Sequence, residues 1–102
     1  MRTEYEVYMD FDRAMEQVGK LRDIAKEVES IGNDDVGGTK KSIQKDWTGD
    51  NSVAYVEKVE IVEGKIIDTG KDIIRVADAI ETIAINTRDA ELEAIEIARR
   101  SS

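Results

Sequence analysis

The chain has 102 residues, enough for one domain with a modest core. Apolar residues make up 40% and charged residues 37%, aromatics reach only 5% and proline is absent, a balance that favours long helices over sheets and tight turns. The net charge of −8 argues against nucleic acid and anionic membrane surfaces as partners, and the absence of cysteine and histidine removes disulfides, thiolate chemistry and the commonest general base and metal ligand.

The N-terminus, MRTEYEVYMDFDRAM, carries no apolar run of signal-peptide length and no membrane span. Export, if it occurs, is expected by a signal-peptide-independent route, with the chain cytoplasmic beforehand. From Val7 onward the apolar residues Phe11, Ala14, Val18, Leu21, Ala25 and Val28 advance in alternating steps of four and three. That is one face of a helix, close to a coiled-coil seam. The face weakens at IGNDDVGGTKK, where Ile31, Val36 and Ile43 remain. Gly32, Gly37 and Gly38 each cost about 1 kcal/mol against alanine in a helix. The stretch reads as one helix, about 5–46, with a soft middle, or as two helices with a short break.

A turn over 47–51 follows. Gly49 suits the left-handed conformation that ends helices, and Asp50, Asn51 and Ser52 are all good N-caps. A second helix is expected over about 52–98. Its seven-residue period runs through Val56, Val59, Val62, Ile66, Ile73, Ala77, Ile80, Ala84, Thr87 and Ala94, with Thr69 or Gly70 filling the gap. Ile67, Ile74, Val76 and Ile83 widen the stripe beyond a two-stranded seam.

These elements predict an all-α fold, a single domain over 1–102 built as an antiparallel two-helix hairpin. A lone hairpin leaves much of the wide stripe wet, so pairing into a four-helix bundle is expected, as a homodimer or with a related hairpin. Val18 and Leu21 on helix one, with Ile66, Ile73 and Ile80 on helix two, are the candidate interface residues.

No constellation of catalytic residues emerges. GNDDVGGT is a near miss to a phosphate-binding loop, but Gly38 stands where the lysine belongs, and Asp34 and Asp35 would repel phosphate. The carboxylates lack both the histidine pairs of di-iron bundles and the spacing of calcium loops. No cofactor, metal site or enzymatic activity is expected.

Trp47, the only tryptophan, stands two residues before Gly49 near the middle of the chain. This W-x-G at Trp47-Thr48-Gly49, set between two amphipathic helices in an acidic chain of about one hundred residues, resembles the WXG family of small hairpins related to the early secreted antigenic target. The resemblance covers nearly the full length and rests on one short motif plus architecture. It implies a non-enzymatic substrate of a type VII secretion system, or an accessory partner of a larger secreted effector. It further implies that Trp47 and Gly49 form a turn recognised together with a tail motif, Tyr-x-x-x-Asp/Glu, by the secretion ATPase. No tyrosine follows Tyr55, so this chain departs from the pattern, and the resemblance then implies export alongside a partner that carries the signal. The alternative expectation is a structural or adaptor four-helix module unrelated to secretion.

Overall fold

The computed structural model describes residues 2–47 and 49–101. Nearly all of them are helical, and no strand occurs among the described residues. Helix α1 spans Glu4–Ser30, a π-helical segment spans Ile31–Val36, α2 spans Gly37–Asp46 and α3 spans Asp50–Ser101. The two arms form a helical hairpin whose contacts divide into two compact units, one of 2–22 with 75–101 and one of Asp23–Ile74.

In the first unit, α1 opens with a reciprocal cap. The Glu6 backbone N–H donates to Thr3 Oγ1 at 3.2 Å, and the Thr3 N–H donates to Glu6 Oε1 at 3.3 Å. Two donors that a helix start would orphan are thereby satisfied. The pairing with α3 is antiparallel: Glu4 meets Arg99 at 2.9 Å, the Arg88 guanidinium lies 4.4 Å above the Phe11 ring, and Arg22 reaches Asp78 at 3.0 Å and Glu81 at 3.1 Å. The hydrogen bond to Asp78, then that to Glu81, holds the Arg22 guanidinium above its ordinary pKa. Arg2 likewise gathers Asp10, Glu91 and the Glu6 carbonyl around the start of α1. Between the arms Val7, Val18, Ala77 and Ile95 are buried, and Val18 is the largest side chain fully excluded from solvent. The core is a single narrow seam.

In the second unit Ala25 is buried, and Gly70 fills the gap left open in the sequence pattern. It is buried, with Ala25 O and Val28 Cγ1 the nearest atoms to where its Cβ would be. Further along, arm one changes phase. The steps through Val7, Val18 and Ala25 reach Gly32, and a continuous α-helix would next turn Asp35, Thr39 and Ser42 inward. Instead Asp35, Thr39 and Ser42 are exposed, whereas Val36 is half-buried and Gly37 and Ile43 are buried. The π geometry over Ile31–Val36 absorbs one extra residue and moves the inward set forward by one. Side chains serve the loosened turns: Ser30 Oγ donates to Asp34 Oδ2 at 2.9 Å, and Thr39 Oγ1 donates to the Asp35 carbonyl at 3.0 Å. The soft middle expected from the glycines is therefore helical throughout, with neither a break nor a loop.

Arm one ends at Asp46. Trp47 is extended at φ −104, ψ 145 and its N–H still donates to the Ile43 carbonyl at 3.0 Å. Gly49 has φ +89, the left-handed region that only glycine enters at little cost. Thr48, the middle residue of the W-x-G, lies outside the described residues. Helix α3 begins at once at Asp50, two residues before the expected start, because Ser52 caps back to Gly49: its N–H and its hydroxyl donate to the Gly49 carbonyl at 3.2 Å and 2.7 Å. Asp50 in the first turn and Arg99 and Arg100 in the last complement the helix dipole.

Candidate recognition end and partner-facing stripe

Two features stand out as candidates for function. The first is the aromatic end of the second unit. Trp47 and Tyr55 meet edge to face, with ring centroids 5.0 Å apart and planes at 78°. This is a favoured aromatic geometry. The pair is only half sheltered, with Trp47 47% and Tyr55 51% exposed, and Val53 beside it is more exposed still. Beside Tyr55 an apolar groove of about 380 Å³ runs along Val36, Val59 and Val62, rimmed by Asp35, Thr39 and Lys58. On the facing arm, Lys40 pairs with Glu63 at 3.0 Å, both largely sheltered, and ties α2 to α3.

The second feature is the apolar surface of α3. The five residues singled out from the sequence as interface candidates all stand on or beside the seam within the chain. Val18 is buried, and Leu21, Ile66, Ile73 and Ile80 are half-buried. They take part in packing within the chain. Among the exposed large apolar residues of α3, Tyr55, Val62, Val76, Ile83 and Ile97 fall on one seven-residue repeat, and Val53, Ile61 and Ile74 lie off it. Of those on the repeat, only Val76 and Ile83 stand in the sequence reading among the residues that widen the stripe. In the first unit the repeat borders a groove of about 200 Å³ lined by Ile80, Ile83 and Thr87 on α3 and by Val7, Phe11 and Ala14 on α1.

Among the described residues no group of three or more carboxylates is placed to hold a metal ion. Among them, too, no buried side-chain polar atom lacks a partner, so no unsatisfied group points to a missing ligand. Among the described residues no helix is long and apolar enough to cross a membrane. The chain matches no family model, no curated protein and no solved structure.

Proposed function

We propose that the chain acts by helix–helix pairing and end recognition, as a small hairpin of the WXG type. In this reading it is handled by a type VII secretion system, either as a substrate or as an accessory partner of a larger secreted effector, and it has no enzymatic activity. The observation that carries the reading is the half-exposed Trp47 beside a left-handed Gly49, packed edge to face on Tyr55 where the two arms join. Trp47 leaves 47% of its surface open, enough for another molecule to cover. An amphipathic ring held rigid at low entropic cost is the kind of group that anchors recognition.

The exposed row on α3 supports the pairing half of the reading. A second hairpin, a copy of this chain or a related one, would cover it and complete a four-helix bundle. The Trp47 end would then remain available to a secretion ATPase or an effector.

The test is a secretion assay in the native host, with and without the adjacent hairpin or effector gene. Export that depends on the neighbouring gene, and is lost in a folded Trp47→Ala variant, supports the reading. Export of the chain alone removes the partner dependence. Failure of the chain and every neighbour to be exported leaves the adaptor module as the better description.

A further inference from the structure

We infer that the turn end of the second unit is a latch: α2 opens from α3 as one cooperative piece, hinged at Ile31–Val36 and held shut by the Lys40–Glu63 pair. Only the packing of this unit carries the idea, and secretion plays no part in it. Between Gly32 and Gly70, Ile43 is the one buried apolar side chain among the described residues. Val36, Val56 and Val59 are half-buried, and Val53, Tyr55, Ile61 and Val62 are exposed. The first unit, by contrast, buries Val7, Val18, Ala77 and Ile95, and joins its arms through Arg2, Arg22 and Arg99. A stretch with so little apolar burial opens more easily than the rest of a fold.

One polar contact fastens α2 to α3. Lys40 Nζ donates to Glu63 Oε1 at 3.0 Å, and the two side chains are only 23% and 20% exposed. Gly37 makes room for the carboxylate, since a Cβ there would lie 3.2 Å from Glu63 Oε2. The other side-chain bonds of this stretch, Ser30 to Asp34 and Thr39 to the Asp35 carbonyl, stay within arm one and survive its opening. Neutralising Glu63 therefore favours the open state twice over. It removes the tie, and it leaves a sheltered ammonium that only opening returns to water.

The hinge follows from the extra residue in arm one. The π turn persists because Val36 and Ile43 pack toward α3, one position out of step with the helix before them. Once α2 leaves α3, that turn relaxes to α geometry and carries α2 round by about 100°. Val36 and Ile43 then no longer point at α3, and closing requires the π turn to form again. Open and closed are thus two discrete states, not the ends of a gradual fraying. Trp47, whose N–H is bonded to the Ile43 carbonyl, moves with α2 and parts from Tyr55 on α3.

Amide hydrogen exchange under native conditions reads the latch residue by residue. Released from α3, the glycine-rich end of arm one frays, so the α2 amides exchange through the opening. They should share one rate, faster than that of the amides around Val18 and Ala77. Glu63→Gln, shown to be folded by circular dichroism, should raise the α2 rate roughly tenfold and leave the rates around Val18 and Ala77 unchanged. It should also make Trp47 more open to quenching by acrylamide. A chain lacking Asp34 has no slack to hinge on, and its α2 should exchange more slowly than that of the unaltered chain. One common rate for α2 and for the Val18 and Ala77 amides would mean that the hairpin opens only as a whole, and would overturn the inference. So would a Glu63→Gln variant that speeds both regions equally or leaves α2 unchanged. An Asp34 deletion that unfolds the chain, or whose α2 exchanges no more slowly, would overturn the hinge assigned to the π turn.

Discussion

Trp47 packs edge-on against Tyr55, eight residues further along the chain and across the helix break, with ring centroids 5.0 Å apart. As the only tryptophan, Trp47 makes intrinsic fluorescence a report on this end alone. Tyr55→Ala should expose the indole and shift its emission to the red. Removing the edge-to-face contact should also cost about 0.5–1.5 kcal/mol in chemical denaturation. Trp47→Ala should cost about 1–3 kcal/mol, below the ~3–5 typical of a covered aromatic, because half of the ring is already wet. A loss at or above that upper range would mean that the indole is core, and that its exposure has no bearing on recognition.

Gly49 and Gly64 make a contrast that separates backbone strain from helix propensity. Gly49 has φ +89, and an alanine there should destabilise the chain by about 1–2 kcal/mol although its Cβ would meet nothing within 4 Å. Gly64 is exposed inside α3 with equally open surroundings, and alanine there should stabilise by about 0.5–1 kcal/mol. Thermal melts of the two variants should move in opposite directions. Equal shifts would mean that the turn does not depend on the left-handed residue.

The π-helical segment makes a less intuitive prediction. Because it absorbs one residue too many, deleting one should heal it. Without Asp34, Val36 and Ile43 would occupy the positions to which an unbroken α-helix carries the seam from Val28 and Gly32, and they would still face α3. The deletion should leave the melting temperature unchanged or raise it. Deleting Lys20 from the regular part of α1 should turn every following seam residue by about 100° and unfold the hairpin. If the Asp34 deletion proves as damaging as the Lys20 deletion, the extra residue is not what the segment accommodates.

Gly32 tests the same region sterically. A Cβ there would lie 3.1 Å from Ile67 Cγ1 and 3.2 Å from Ile66 Cγ2, tighter than ordinary contact. Gly32→Val should therefore cost about 1–3 kcal/mol through overpacking, despite the better chain entropy of valine. Gly32→Ala should fall between, with its gain in helix propensity of about 1 kcal/mol offset by the displaced isoleucines. A stabilised valine variant would show that the two arms can part here without loss.

Much of this fold is written in simple periodicity. The alternating steps from Val7 to Val28 mark a helix face because burial against one partner selects every third or fourth position, and Val7, Val18 and Ala25 are buried accordingly. The phase slip at Ile31–Val36 is harder to see. Three glycines suggest interruption, yet Val36 and Ile43 keep a seven-residue spacing between themselves and are only one residue out of step with Val28. Packing against α3 outweighs the weak local propensity, and the slip is taken up as π geometry. The Thr3–Glu6 cap was also present in the sequence, but periodicity passes over it because a cap has no period. At the candidate site, Trp47 could be picked out by composition as the only tryptophan, and Gly49 by the polar N-cap residues that follow it. The division of α3 into an inner seam and an outer row could not. Ile66, Ile73 and Ile80 border both, and only the position of α1 decides which side is covered.

The slip in arm one also limits what any partner can do. Toward α3 the inward set moves forward by one residue at Ile31–Val36, so an unbroken helix still finds apolar side chains to pack on beyond the slip. On the side away from α3 the same extra residue breaks the seven-residue spacing, so the outer surface of arm one carries no single repeat across Ile31–Val36.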